Sequence, residues 1–306
     1  MMRRLLLWTL LLPLFCAGYG VGAQAATCSA TFDTIEFGTD INILNGSAKD
    51  SAGSVTISCA NLSPTESARV CIAVNPNSAA LDLASGLDRL KFDFYSDALR
   101  TAQWSYPQGV VSVDLNSTNY QSRLSVYGRI LAGQNTASVG SYTASIVPNI
   151  RYAVYTSGGA QPPCATLSTQ ITTSITVNAT VTATCSISTA SMTFPPQTIF
   201  TSDVAASSDL TVTCTNAAPY WVGLDNGSNP LSGQRRMKSK SDYINYDLYI
   251  DNARQQRWGA TKDVDTVSGT GLATGQRITV YGKIPKPTPS PAPGTYTDSV
   301  IATVNF

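Results

Sequence analysis

The sequence contains one pattern twice, at an offset of 154 residues. Residues 126–130 (VYGRI) match residues 280–284 (VYGKI), and residues 140–143 (GSYT) match residues 294–297 (GTYT). Further matches at this offset are residues 92–97 with 246–251, Arg100 with Arg254, and Trp104 with Trp258. Because the repeated unit is as long as a typical domain, we infer that one architecture is present twice.

Each copy is rich in Thr, Ser, Val and Tyr, arranged in short alternating runs between Gly, Asn, Asp and Pro residues. No stretch has the periodicity of a long amphipathic helix. This pattern predicts an all-β fold made of two tandem immunoglobulin-like β-sandwiches.

The longest alternating run, residues 171–185, lies between the two copies. Its apolar positions, which include Ile171, Ile175 and Val177, share one face, and its hydroxyl and amide side chains share the other. Fully extended, the run would reach on the order of 50 Å, about twice a normal strand. We therefore expect it to serve two sheets in succession.

The run also sets the expected domain boundary. Residues 171–178 would complete a first domain at 26–178 from within, as an internal donor strand. The remainder of the run would begin a second domain at 179–306.

Residues 1–25 have the pattern of a secretory signal peptide. Arg3 and Arg4 precede an apolar stretch at 5–15, and small residues follow up to a predicted cleavage site before Ala26. No other stretch is apolar and long enough to span a bilayer. We therefore expect export.

Cysteine usage agrees with an exported protein. Six cysteines follow the predicted signal peptide, namely Cys28, Cys59, Cys71, Cys164, Cys185 and Cys214. The repeat places Cys28 and Cys59 on Cys185 and Cys214, which predicts one disulfide in each copy. Cys71 and Cys164 have no counterpart in the second copy, and we expect them to pair with each other.

Composition excludes several classes of site. The chain has no histidine and no CxxC pair, which argues against a zinc site or a histidine-dependent triad, and no cofactor is expected. Charged residues are 13% of the chain and the net charge is +1, so nucleic acid is not an expected partner. The one basic cluster, Arg235, Arg236, Lys238 and Lys240, is interpreted as a solvated loop.

Paired carboxylates would be the main argument for an enzyme, for example a glycosidase on a β-sandwich. Asp93 and Asp97 form such a pair, but they recur as Asp247 and Asp251. Recurrence in both copies favours a shared structural role, and catalysis is not expected.

The last strand of the second copy has no strand after it in this sequence. One face of residues 295–306 is apolar and comprises Tyr296, Val300, Ala302, Val304 and Phe306. In the first copy the equivalent strand is followed by the run from Ile171. The second copy should therefore expose a hydrophobic groove and an unpaired edge, which a strand from another chain can fill.

The Cys-led copies, the Tyr-Gly-basic-Ile strand and the terminal strand resemble the spore coat U domain family. That family includes subunits of archaic, Csu-type chaperone–usher pili. The resemblance implies pilin-like domains, a periplasmic pilus chaperone that clamps the strand ending at Phe306, an outer-membrane usher, and a next pilin subunit that donates a strand.

The resemblance also implies a place in the fibre. A shaft subunit needs a donor extension before its first cysteine, and only Ala26 and Thr27 precede Cys28 after the predicted cleavage. We therefore expect a two-domain tip adhesin on the cell surface, with an adhesin domain in front of a pilin domain, acting in surface attachment and biofilm formation.

Residues that differ between the copies are candidates for binding an abiotic or host surface. Tyr106, Pro107, Val110 and Val111 are apolar where residues 260–265 include charged side chains. A second segment that differs between the copies contains Tyr155 and Pro162. An immunoglobulin-like strand order would place both segments at the pole far from the second domain.

Alternative interpretations stay open at these positions. Val110 and Val111 can also begin a buried strand, and the Pro and Gly residues near Pro162 can simply turn the chain. Trp104, which recurs as Trp258, is expected to be structural. The alternative function is a structural pilus or coat subunit that binds no surface.

Overall fold

The all-β prediction is confirmed. The computed structural model describes residues 24–287 and 289–306, which form β-strands, connecting loops and a single 3₁₀ turn at Cys164–Thr166. The predicted signal peptide lies outside the described residues except for Gln24 and Ala25. In the described part of the chain, no helix has the length and apolar character needed to cross a membrane.

The N-terminal unit contains twelve strands. They are β1 (Thr27–Phe32), β2 (Ile35–Glu36), β3 (Lys49–Ala60), β4 (Glu66–Ala73), β5 (Leu81–Ser85), β6 (Asp88–Tyr95), β7 (Val111–Asn116), β8 (Gln121–Ile130), β9 (Gly140–Ile146), β10 (Asn149–Thr156), β11 (Thr169–Gln170) and β12 (Ile175–Val181). One sheet has the order β1-β3-β8-β6-β5-β9-β12-β2 and the other has the order β11-β10-β4-β7. The core between them is aliphatic and aromatic, and includes Phe37, Phe92, Phe94 and Trp104.

The C-terminal unit repeats this plan with fewer strand pairings. Its strands are β13 (Cys185–Thr189), β14 (Val204–Cys214), β15 (Pro219–Leu224), β16 (Arg236–Ser239), β17 (Asp242–Asn245), β18 (Asp247–Tyr249), β19 (Val267–Thr270), β20 (Gln276–Ile284) and β21 (Ala302–Asn305). They form sheets of order β13-β14-β20-β18 and β19-β15-β21 and a hairpin β16-β17. A second core lies between the sheets and includes Leu210, Val222 and Trp258.

The duplication extends to individual hydrogen bonds. The indole N–H of Trp104 donates to the Ile72 carbonyl at 2.8 Å, and that of Trp258 donates to the Val222 carbonyl at 2.9 Å. Both tryptophans are buried, which agrees with the structural role expected for Trp104. Arg100 and Arg254 share a positive φ and donate to the carbonyls of Gly128 and Gly282.

The alternating run between the units forms two strands, not one. β12 ends at Val181 and β13 begins at Cys185, with residues 182–184 outside any strand. Ala179 and Val181 belong to the first core, because the 38–41 segment supplies backbone partners along the strand as far as Thr182. β12 therefore continues three residues beyond the expected boundary at residue 178.

Ile171 lies apart from β12 but is still buried in the N-terminal unit. Its N–H donates to the Ile150 carbonyl at 3.0 Å, next to the pairing of β11 with β10. Residues 172–174 then lead to the other sheet, where Ile175 and Val177 are fully buried. The strand that completes the N-terminal unit is thus 175–181, shifted from the expected 171–178.

Three disulfides join the cysteines in the expected pairs, Cys28–Cys59, Cys71–Cys164 and Cys185–Cys214. Cys71 lies within β4 and pairs across the sheet with Arg151 and Ser112. The Cys71–Cys164 bond therefore holds the segment around the 3₁₀ turn against β4 of the four-stranded sheet.

The basic cluster is not a fully solvated loop, because Arg235 is completely buried. Its guanidinium donates to the Asp247 carboxylate at 2.6 Å and to the carbonyls of Leu224, Asp225 and Trp258. Burial lowers the pKa of Arg235, and the adjacent Asp247 carboxylate opposes that shift. The sequence interpretation was wrong here because an acidic partner twelve positions away is brought into contact only by the hairpin β16-β17.

Candidate functional site: an open groove beside residues 294–300

In the N-terminal unit, β12 fills the space between β9 and β2. It pairs antiparallel with β9 from Ile175–Ile146 to Val181–Gly140, and parallel with β2 through Val177 and Ile35. Four of its side chains enter the core, namely Ile175, Val177, Ala179 and Val181. β12 therefore supplies both backbone partners and apolar cover to this sheet.

The C-terminal unit contains the two walls of the same groove. One wall is the segment 294–300, which pairs with β16 through Lys238 and Thr297, as β9 pairs with β5 through Ala84 and Thr143. The main offset of the repeat relates both members of the pair. Segment 294–300 is thus the counterpart of β9, and its other side faces the position that β12 occupies in the N-terminal unit.

The second wall is formed by Met192 and Phe194. A side chain added at Gly282 would meet both residues, just as one added at Gly128 would meet Ile35 and Phe37. Met192 and Phe194 are therefore the counterparts of Ile35 and Phe37, at an offset of 157 residues, the same offset that separates Cys28 from Cys185.

No strand of the described chain lies between these two walls, and two adjoining cavities of about 400 and 800 Å³ are found there. Both cavities are lined by Met192, Phe194, Met237, Tyr296 and Thr297. The first cavity continues along Asp298, Val300 and Ala302, and the second continues along residues 290–295. Together they form a groove that follows the edge of segment 294–300.

Equivalent side chains are more exposed in the C-terminal unit, where no strand of the described residues covers them. Ile35, Phe37 and Tyr142 are at most 1% exposed, whereas Met192, Phe194 and Tyr296 are only half-buried. Tyr142 and Tyr296 nevertheless make the same hydrogen bond, to the carbonyl four residues earlier, at 2.9 and 2.8 Å. The two tyrosines thus have the same local structure and differ only in how much of the side chain is exposed.

The floor of the groove carries a polar pair. The Tyr246 hydroxyl donates to the Asp298 carboxylate at 2.7 Å. Burial, followed by this hydrogen bond and by the charge of Asp298, raises the pKa of Tyr246 far above its ordinary value, so the phenol stays protonated and remains a donor. The equivalent positions of the N-terminal unit hold Phe92 and Ala144, which are apolar.

Only some of the residues predicted to form the groove line it in the structure. Tyr296, Val300 and Ala302 line it. Val304 pairs with Val222 in the other sheet, and Phe306 is 59% exposed and lies outside the groove. Alternation correctly indicates which residues share a face, but strand β21 continues into a different sheet from segment 294–300.

Two of the residues predicted to bind a surface, Tyr106 and Tyr155, lie at opposite ends of β4. The Tyr106 N–H donates to the Asn75 carbonyl beyond the end of β4, whereas β10, which holds Tyr155, ends opposite the start of β4 at the Thr156–Glu66 pair. Tyr106 and Tyr155 are thus separated by the length of β4, roughly 25 Å. Pro162 lies two residues before Cys164, whose bond to Cys71 holds it nearer the Tyr106 end. Tyr106 and Tyr155 therefore do not share a pole, because β10 ends at the start of β4 and Tyr106 lies beyond its end.

Individual positions in these segments differ in exposure. Tyr106 is 40% exposed and Pro107 is exposed, whereas Val110, Tyr155 and Pro162 are half-buried. Val111 is the first residue of β7 and packs against the core, as the alternative interpretation of that position held. The Tyr155 hydroxyl donates to Asp114 at 3.1 Å, and burial raises its pKa.

The chain matches the Spore Coat Protein U domain over residues 21–148 and again over residues 171–303. The two matches cover the N-terminal and C-terminal units, and the second ends at residue 303, next to Ala302 of the groove. The chain belongs to the Spore Coat Protein U domain family.

Among curated relatives of this Spore Coat Protein U domain chain, Protein U of Myxococcus xanthus is 34% identical over 117 residues. The alignment covers 34% of this chain and 62% of that relative. The chain thus spans less than two thirds of the length of Protein U.

Two solved structures resemble both units of the Spore Coat Protein U domain chain. One is a chain of the CsuC–CsuE chaperone–tip adhesion subunit pre-assembly complex from archaic chaperone–usher Csu pili of Acinetobacter baumannii, with a TM-score of 0.52 and 20% identity over 92% of this chain and 100% of that chain. The other is the CupB6 tip adhesin of Pseudomonas aeruginosa, with a TM-score of 0.42 and 11% identity over 92% of this chain and 95% of that chain. The first likeness establishes a shared fold.

The groove is the candidate functional site of this Spore Coat Protein U domain chain. In residues 24–287 and 289–306, no group of three or more Cys, Asp or Glu side chains is arranged to hold a metal ion. Asp97 and Asp251, part of the recurring acidic pairs, each accept backbone N–H bonds within a turn.

Proposed function

We propose that the chain is an exported subunit of a chaperone–usher fibre, and that a β-strand from another chain completes its C-terminal unit. The observation that carries this proposal is the unfilled groove between segment 294–300 and Met192–Phe194, whose counterpart holds β12. Apolar surface and an unpaired edge of this size favour binding of a strand.

Two successive occupants are proposed for the groove. A periplasmic pilus chaperone would cover it first, and the donor strand of the next pilin subunit would replace the chaperone at an outer-membrane usher. The match to a chain from a chaperone–tip adhesion subunit complex supports a chaperone as the first occupant.

The N-terminal unit is proposed to be the adhesin at the tip of the fibre, on the cell surface. Its own groove is filled by β12, so its fold requires no strand from a neighbour. It would attach to an abiotic or host surface and so promote biofilm formation. Of the two candidate segments, the one containing Tyr106 and Pro107 offers more exposed apolar area for such contact.

Adjacent residues provide a matched test of the groove in cells that assemble the fibre. Val300 lines the groove, whereas Ile301 is 65% exposed outside it. Val300→Asp should abolish incorporation of the chain into fibres, because a donor strand would bury the new carboxylate, and Ile301→Asp should leave incorporation unchanged. Equal incorporation of both variants would contradict the proposal.

Position and adhesion are tested separately with the assembled fibre. Antibody against the N-terminal unit should label fibre ends only, and label along the fibre would favour the structural pilus or coat subunit. Tyr106→Ser combined with Pro107→Ser should reduce surface attachment with fibres intact. Tyr155→Ser, at the other end of β4, is the comparison: a larger loss there would assign adhesion to that end.

A further inference from the structure

We infer that the strand completing the C-terminal unit carries a hydrogen-bond-donating side chain, such as that of Thr, Ser, Asn or Lys, opposite Asp298. This inference rests on the proposed function and specifies the partner of the same groove. It arises from a chemical difference between the two grooves at one register position.

The register follows from the repeat. In the N-terminal unit, Ala144 of β9 pairs with Val177 of β12. Asp298 is the counterpart of Ala144 at the main offset of the repeat, and the matching pairs Ala84–Thr143 and Lys238–Thr297 fix the same offset for this segment. A donor strand that follows the course of β12 therefore places its equivalent of Val177 beside Asp298.

The Asp298 carboxylate is held in position in the groove by three hydrogen bonds. It lines the first cavity and accepts hydrogen bonds from the Tyr246 hydroxyl at 2.7 Å, the Ser228 N–H at 2.9 Å and the Asn229 side-chain amide at 3.2 Å. Gly227, at φ +74°, lets the 225–229 turn pack against this carboxylate, since any side chain there would collide with it.

These donors are all neutral. In the part of the chain that the structure describes, no Lys or Arg nitrogen lies within 4.0 Å of the Asp298 carboxylate. A carboxylate offers about four acceptor sites, and the three hydrogen bonds leave room for one more donor. The open groove lets water take that place.

A donor strand would remove this water. An aliphatic side chain opposite Asp298 would leave the carboxylate short of a partner in a dry site, whereas a side chain that donates a hydrogen bond would replace the water. In the N-terminal unit this conflict does not arise, because Val177 faces Ala144 and Phe92 occupies the position of Tyr246.

The same feature discriminates against the chain's own β12. A second copy of this chain could offer β12 only with Val177 opposite Asp298, which is unfavourable. The Tyr246–Asp298 pair thus disfavours exchange of β12 between two copies of the chain and favours a strand from a different protein. Specificity arises here because the wrong strand binds at a cost in free energy.

Synthetic peptides that copy residues 173–183 test the inference on the full mature chain. One peptide keeps Val at position 177, a second has Thr there, and a third has Thr instead of Val at position 181, whose counterpart partner is Gly294. In fluorescence anisotropy we expect the second peptide to bind about tenfold more tightly than the first, the value for one hydrogen bond to a charged group. The third peptide should bind less tightly than the first.

The preference should disappear when the carboxylate is removed. Tyr246→Phe combined with Asp298→Ala recreates the apolar pair of the N-terminal unit and should bind the first peptide, with Val, more tightly than the second, with Thr. Asp298→Asn, which keeps the shape of the side chain, serves if the double variant fails to fold, and should lose the tenfold preference.

The outcomes separate the two proposals. Equal binding of the first and second peptides to the unaltered chain, or a Thr preference that persists without the carboxylate, overturns the inference and leaves the groove intact. Binding of no peptide to any variant contradicts the groove as a strand acceptor, and the inference with it.

Discussion

The two units share strand order, tryptophan contacts and a tyrosine hydrogen bond, yet one sheet edge is covered in the first and open in the second. β12 covers β9 in the N-terminal unit, whereas two cavities lie beside segment 294–300 in the C-terminal unit. The counterparts of fully buried residues are half-buried there. The repeated sequence therefore forms the groove in both units, and β12 fills it in the N-terminal unit.

The units also differ in how they hold their buried acid. Asp93 accepts hydrogen bonds from the neutral side chains of Asn75 and Gln103. Its counterpart Asp247 lies between Arg235 and Arg257, at 2.6 and 2.7 Å. Because Arg235 also bonds three carbonyls, the C-terminal unit contains a network of charged pairs that joins strands, whereas the side-chain donors to Asp93 in the N-terminal unit are neutral.

The largest loss of stability is expected from a charge in the filled groove. Val177→Asp should destabilise the N-terminal unit by roughly 4 kcal/mol, since it places an unpaired carboxylate in the core. Val300→Asp in the open groove should cost about 1 kcal/mol or less in the isolated chain, since water still reaches the new side chain. Urea unfolding measures both, and Thr176→Asp, at an exposed position of β12, is the control.

Similar losses for Val177→Asp and Val300→Asp would remove the contrast between the two grooves, because they would mean that segment 294–300 is already covered in the isolated chain.

A smaller difference should separate the two buried acids. Asp247→Asn should destabilise the C-terminal unit by about 3 kcal/mol, because Arg235 would keep a buried charge without its counter-ion. Asp93→Asn should cost roughly 1 kcal/mol, since its hydrogen-bond donors are neutral and no buried cation loses a counter-ion. Thermal unfolding of the two variants measures the difference, and equal losses would show that the ionic network adds nothing to the C-terminal unit.

The weakest effect should be a shared pH dependence. Backbone N–H bonds lower the pKa of Asp97 and Asp251 below the ordinary value near 4. A depressed pKa in the folded state stabilises the fold above the ordinary value, and this stabilisation is lost as pH falls through the depressed one. Asp97→Asn and Asp251→Asn should each flatten the fall in stability below about pH 4.

Because the two turns are equivalent, the two variants should have equal slopes in unfolding experiments between pH 2 and pH 5. A clear difference between them would show that the repeat does not extend to these turns.

Much of the fold could be predicted from sequence, because alternation and the repeat are local or internally matched signals. They identified the all-β class, the disulfide pairs from Cys28 and Cys185, and the open face at Tyr296 and Val300. The expected end of β12, residue 178, fell short of Val181, because the partners that extend the strand, residues 38–41, form bridges and loops without a strand pattern.

The other residues of the groove could be identified only from the structure. Met192 and Phe194 follow a slightly longer offset than the main repeat, so a fixed alignment does not pair them with Ile35 and Phe37. The sequence around Asp298 does not indicate its role, because its hydrogen bond with Tyr246 forms only in the folded chain. The available signal was the replacement of Phe92 by Tyr246 and of Ala144 by Asp298, since both pairs follow the main offset.

Segment 294–300 is proposed as an open edge that awaits a strand, as β9 would be without β12. Hydrogen–deuterium exchange on the full mature chain, alone and with the Thr-containing second peptide, reports on this edge amide by amide. Amides of 140–146 should be protected in both samples, and amides of 294–300 that face the groove should exchange rapidly alone and slowly with the peptide. Strong protection of those amides in the chain alone, or no gain with saturating peptide, would refute the open edge.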